Sequence, residues 1–233
     1  MRWIATIVVS LIAGFAGAAA FALSGLGDRQ TEAYIMANPE VLPQAMAELQ
    51  RRQTLERIEP MRAEIETPFP GAVLGNPQGT ITLVEFTDYA CSFCRQSVAD
   101  VNALIAANPD LKVVIREYPI LSAESADAAR MALAAAQQGR FEAFHNAMFA
   151  MGQVTSASID AAATTAGVDL ERAHAAIAAG QFEAQLQNNV FMAQTLGISG
   201  TPSWIVGDRA LDGAVGREAI GRAVAEARQA RNS

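Results

Sequence analysis

Cys91 and Cys94, the only two cysteines of the chain, stand three positions apart. Thiols at that spacing can carry dithiol-disulfide exchange, supply half of a zinc site, or close a short structural disulfide. A closed zinc site needs four ligands, and beyond the thiols the chain offers only His145 and His174, which read as ordinary, partly exposed residues of separate helices. A disulfide across so short a loop constrains the unfolded chain very little. Exchange is the chemistry that fits. At the start of a helix the Cys91 sulfur would meet unpaired N–H groups and the positive end of the helix dipole, which favour thiolate. Cys94, one turn further in, would then attack a mixed disulfide and release the substrate. No cofactor is needed.

The elements that must hold such a dithiol are legible around it. Thr80–Thr87 is rich in β-branched and aromatic residues and reads as a buried strand running into Cys91. From Cys91 to about Ala107 the apolar spacing Val98, Val101, Leu104, Ile105 is helical. Asn108-Pro109 stops that helix before a strand at Lys112–Tyr118. Ala72–Leu74 reads as a short strand and Asn76-Pro77-Gln78-Gly79 as a turn. Residues 119–196 are alanine-rich and helical, with breaks at Gly139, Gly152, Gly167 and Gly180 and helix starts near Ser122, Thr155 and Asp169, which predicts four or five short helices. Strands resume at Ser203–Val206 and Ala210–Leu211 around a turn at Gly207-Asp208, and a helix closes the chain over about Arg217–Arg228. The fold class is therefore α/β.

Upstream, Trp3–Leu23 is apolar and uncharged, follows Arg2 and ends among small residues, so residues 1–27 read as an export signal or a membrane anchor. Either places the rest outside the cytoplasm, in a periplasm or beyond it. Residues 28–66 form a helical extension: a linker at Asp28–Thr31, a helix start at Asn38-Pro39, and two apolar stripes out of phase across Pro60. The first stripe is Leu42, Met46 and Leu49; the second is Leu55, Ile58, Met61 and Ile65. Such stripes must dock on the catalytic domain, on another subunit or on a membrane. Thr67-Pro68-Phe69-Pro70-Gly71 marks the boundary of a domain over 67–233. A formal charge of -7, without a cluster of Lys and Arg, argues against nucleic acid as a partner.

Glu85-Phe86-Thr87-Asp88-Tyr89-Ala90-Cys91-Ser92-Phe93-Cys94 resembles the active-site segment of the DsbA family of thiol:disulfide oxidoreductases, and Gly200-Thr201-Pro202-Ser203 resembles that family's cis-proline loop. The likeness extends over roughly residues 67–230 and includes the helical insertion at about 119–196. It implies a thioredoxin fold, thiol or disulfide client proteins, and a membrane redox partner. On the residues alone, Thr201-Pro202 is an ordinary turn and Glu85 a solvent-facing strand glutamate. The resemblance makes Pro202 a cis residue facing the dithiol and Glu85 a buried acid that relays protons to and from Cys94. Asp88 reads as a loop or capping carboxylate.

Two departures qualify the likeness. Ser92-Phe93 replaces the Pro-His of DsbA and supplies no charge beside the thiolate. Thr201 resembles the residue before the cis-proline in the DsbC and DsbG isomerases, and its hydroxyl is placed to bond the Cys91 sulfur. An isomerase or reductase kept reduced by its membrane partner is therefore the alternative function. A client-binding holdase with an incidental dithiol is another. Asn38-Pro39-Glu40-Val41-Leu42 resembles the N-terminal extension of Com-one and ScsC-like members, some of which oligomerise through it, so a homo-oligomer through residues 28–66 is expected.

Overall fold

The computed structural model describes residues 2–23 and 26–232. The chain divides into two compact units, one ending at Gln50 and the other beginning at Arg51.

In the first unit, helix α1 (Arg2–Leu23) carries the apolar run. Among the described residues no helix is long and apolar enough to cross a membrane, so the anchor alternative gains no support. Helix α2 (Leu26–Ala37) absorbs Asp28–Thr31, expected as a linker; Asp28 sits in its first turn, where a carboxylate complements the helix dipole. The expected helix start at Asn38 is corrected as well. Its Nδ2 donates to the Tyr34 carbonyl at 2.9 Å, so Asn38 closes α2, and α3 (Val41–Ile58) begins three residues later. The first stripe, Leu42, Met46 and Leu49, is exposed.

The second unit is built on a five-stranded sheet in the order β1-β3-β2-β4-β5, with β1 at Val73–Gly75, β2 at Ile81–Thr87, β3 at Leu111–Glu117, β4 at Ser203–Val206 and β5 at Arg209–Asp212. β2 and β3 run parallel, and the other neighbours pair antiparallel. The parallel pair is covered on both faces, which explains its near-continuous apolar sequence. One face, with Leu83, Ile115 and Trp204, packs against α5 (Ser92–Ala107), α11 (Gly216–Asn232) and the helical insertion. The other, with Val84, Phe86, Val114 and Ile205, packs against Met192, Leu196 and two residues of the second stripe, Ile58 and Ile65.

That stripe is therefore part of the sheet's own core. Pro60 lies in a 3-10 turn, Glu59–Met61, that breaks the helix as its ring demands and turns the chain into α4 (Arg62–Glu66). From the end of β3, Arg116 donates to the carbonyls of Glu64, Ile65 and Thr67, a cation at the negative end of α4. A cut at Thr67 would remove two fully buried isoleucines, each worth about 1.5–3 kcal/mol of burial.

The insertion contains α6 (Ala123–Gln137), α7 (Phe141–Ala150), α8 (Ser156–Thr165), α9 (Leu170–Ala178) and α10 (Glu183–Leu196). Ser122, Thr155 and Asp169 each cap a helix with a side-chain oxygen, at the starts the sequence predicts.

Candidate active site

Cys91 is the N-cap of α5. Its backbone is extended, and its sulfur accepts the Cys94 N–H at 3.4 Å. Both thiols are unpaired with one another, and they differ in access: Cys91 is 6% exposed and Cys94 0%. Cys91 is the less deeply buried of the two. Phe93, between them, is largely exposed.

The peptide bond between Thr201 and Pro202 is cis. Pairing of Phe86 with Ser203 and of Glu85 with Trp204 carries this loop to the end of β2, beside the dithiol. The Cys91 thiol donates to the Thr201 carbonyl at 3.2 Å. The contact expected through the Thr201 hydroxyl is thus made by its backbone, and the hydroxyl acts instead on Cys94, where it partly offsets the effect of burial.

Glu85 is buried on the face that supports α5. Desolvation pushes its carboxyl up to about 8, opposed only by the neighbouring Thr87 hydroxyl. Burial drives the Cys94 thiol well above the usual thiol range, and the Glu85 charge adds to the rise. These two groups can each influence the other's proton. Asp88 is a brace: its Oδ1 accepts the Ala90 N–H at 2.8 Å, and its Oδ2 accepts those of Ile120 and Leu121 at 2.8 and 3.0 Å.

Three further residues lie below the dithiol loop that the sequence reading did not single out for it. The Tyr89 hydroxyl donates to Glu117 Oε1 at 3.1 Å and lies 3.3 Å from His145 Nδ1. His145, expected as partly exposed, is buried among Phe141, Phe149 and Tyr89, and desolvation lowers it to about 3, so it is neutral. Aromatic residues on the inner face of α7 enclose it, a pattern visible in Phe141-x-x-Phe144-His145-x-x-x-Phe149. Glu117 could have been found by the signal that flagged Glu85, an acid inside an apolar strand. His174 pairs with Asp160 at the surface, at 3.1 Å.

Fold and site together define a thioredoxin-fold protein of the thiol-disulfide oxidoreductase class with a DsbA-like helical insertion. The family described as Thioredoxin matches residues 69–226, and the chain belongs to it. The copper resistance protein ScsC N-terminal domain matches residues 32–54. A thioredoxin-like oxidoreductase from Silicibacter pomeroyi is 42% identical with a TM-score of 0.65, covering 67% of the chain and 91% of its own. The thiol-disulfide exchange protein alpha-DsbA2 from Wolbachia pipientis is 26% identical with a TM-score of 0.70, covering 76% and 97%. A periplasmic thioredoxin-like protein from Salmonella enterica serovar Typhimurium is 27% identical with a TM-score of 0.62, covering 72% and 95%. The chain spans about a quarter of the length of the curated relatives it matches, which are Na(+)/H(+) antiporters; one from Salinispora arenicola is 28% identical over 158 residues, 66% of the chain and 24% of the relative.

Proposed function

We propose that the chain is an extracytoplasmic thiol-disulfide oxidoreductase that forms or exchanges disulfides in client proteins. In the oxidising direction a client thiolate attacks the Cys91 sulfur of the Cys91–Cys94 disulfide, and Cys94 leaves. A thiol held as high as Cys94 is a poor leaving group unless it is protonated as it goes, and the Glu85 carboxyl supplies that proton. A second client thiolate then attacks the client sulfur and expels Cys91 as thiolate. The client gains a disulfide, the dithiol gains two electrons, and a membrane redox partner takes them away. In reverse, Cys91 opens a client disulfide, and Cys94, losing its proton to the Glu85 carboxylate, resolves it. Pro202 and Thr201 line the client: once Cys91 is in a disulfide, the Thr201 carbonyl can accept an N–H from an extended peptide.

The observation that carries this reading is a free dithiol at one helix N-terminus, with Cys91 as the N-cap beside the Thr201–Pro202 loop and Cys94 fully buried behind it. Cys91→Ser in the full chain is the test. It should abolish both oxidation of a reduced client and reshuffling of a scrambled one. Undiminished turnover would overturn the proposal, and aggregation protection without either cysteine would favour the holdase reading. Export is supported by the apolar Arg2–Leu23 segment and by likeness to the periplasmic Salmonella protein.

A second reading concerns assembly. Leu42, Met46 and Leu49 form one exposed apolar stripe, within the segment that matches the ScsC N-terminal domain, and self-association would bury it. Several dithiols around one client would favour isomerisation through high local concentration. Light scattering should give a multiple of the 24.6 kDa chain mass, or of the processed chain mass, that falls to one copy in the double variant Leu42→Glu, Met46→Glu. A wild-type monomer at micromolar concentration would end the oligomer hypothesis.

A further inference from the structure

Glu117 ends β3, and its register partner is Thr87 at the end of β2. Alternation along the strands puts Glu85, Thr87 and Glu117 on the same face, under α5. Glu117 is buried, with Oε1 engaged by Tyr89, but its Oε2 has no hydrogen-bond partner. Thr87 Oγ1 is also buried and makes no well-formed hydrogen bond, although it lies near enough to Cys94 and Glu85 to favour their ionised forms. An orphaned carboxyl oxygen beside a poorly satisfied hydroxyl on paired residues is costly for a purely structural site.

The groups that act on Glu117 are Glu85 from β2 and Asp88 and Tyr89 from the loop, with Thr87 as its register partner; His145 of α7 meets the same Tyr89 hydroxyl, and Asn189 of α10 donates to the Glu117 backbone carbonyl. None is a cation: His145 is neutral, and Arg116, next in the strand, turns to the opposite face. Burial and the charges of Asp88 and Glu85 hold Glu117 well above the usual carboxylate range. With no cation to balance them, Glu85 and Glu117 do not both ionise readily, so the carboxyl that stays protonated can serve as an acid while the other is ionised.

We infer that Glu117 is a reserve acid for the dithiol, a positioning residue that protonates Cys94 through Thr87 when Glu85 is ionised. The inference rests on the roles given above to Cys91 and Cys94. As the Cys91–Cys94 bond breaks, the Thr87 hydroxyl gives its proton to the Cys94 sulfur. The Glu117 Oε2 proton replaces it on Thr87, across a rotated carboxyl or one water, and Glu117 is left as carboxylate. The step that expels Cys94 then keeps an acid on the alkaline side of Glu85.

The test uses the full-length oxidised chain reduced by glutathione, followed by acid quench across pH and expressed as the variant-to-wild-type rate ratio, in which ionisation of glutathione cancels. For Glu117→Gln, which keeps the acceptor for Tyr89, the ratio should fall about tenfold between about pH 7 and pH 9, because Glu85 alone is then lost as an acid. Thr87→Val should give the same break with the Tyr89–Glu117 bond in place. A ratio independent of pH in both variants would overturn the inference. Failure of the Glu85 role would show separately, as a Glu85→Gln ratio of one at pH 6, and failure of the dithiol role as exchange surviving in Cys91→Ser.

Discussion

Cys94→Ser should turn the protein into a trap that holds clients as mixed disulfides on Cys91. Cys91 is the less buried cysteine and caps the helix, while Cys94 is fully buried, so the first bond to a client forms at Cys91 in the variant as in the wild type. Release requires attack on that bond from within, and serine at the first turn of α5 cannot make it. The adduct should survive non-reducing electrophoresis, disappear with added thiol, and map by peptide mass to Cys91, with multiple-turnover exchange lost. Adducts on Cys94 in Cys91→Ser, together with none in Cys94→Ser, would reverse the roles.

Glu85→Gln should stabilise the protein, and the gain should grow with pH. The folded carboxyl titrates at about 8 against an ordinary value of 4.5. A group raised in this way contributes fully below the ordinary value, and its contribution is lost as pH rises toward the folded value. At about 1.4 kcal/mol per pH unit, the wild type should fall behind the amide variant by roughly 3 kcal/mol at pH 7 and by up to about 5 kcal/mol above pH 8. The difference should vanish near pH 4, where both side chains are neutral. His145 weakens the folded state on the acid side, since it must stay neutral while the unfolded chain takes up a proton below about 6.5, but it does so equally in both proteins and cancels from the comparison. Denaturant unfolding at several pH values measures this. An equal loss of stability at every pH would mean that Glu85 is a hydrogen-bonded strut rather than a buried acid. The same variant should slow expulsion of Cys94 below pH 8, so stability and exchange rate move in opposite directions.

The core of the fold was readable because its signals are local. The strand before Cys91, the helix after it and the caps at Ser122, Thr155 and Asp169 each depend on residues a few positions apart. What was not readable depends on partners far along the chain. Ile58 and Ile65 carry the same helical periodicity as Leu42 and Met46, yet one pair lies in the sheet's core and the other on the surface. Periodicity reports an apolar face and says nothing of what covers it. Arg116, which ties α4 to β3, is silent for the same reason. At the site, Cys91, Cys94, Glu85 and Pro202 were marked by motif and resemblance. Tyr89, Glu117 and His145 meet only through β3 and α7, 28 and 56 residues away from Tyr89. The Thr201 contact was assigned to the right residue and the wrong atom, because side-chain chemistry is written in sequence and the direction of a backbone carbonyl is not.

Equilibration of the full chain with glutathione redox buffers, with the Cys91–Cys94 state scored by thiol alkylation and mass, tests the exchange chemistry most directly. The Cys91 sulfur caps the α5 N-terminus and accepts the Cys94 N–H, and the account predicts a reversible Cys91–Cys94 disulfide with a potential between about -120 and -230 mV. A potential near about -270 mV would contradict an oxidising role. Cysteines that do not interconvert with glutathione at all would contradict the exchange chemistry itself.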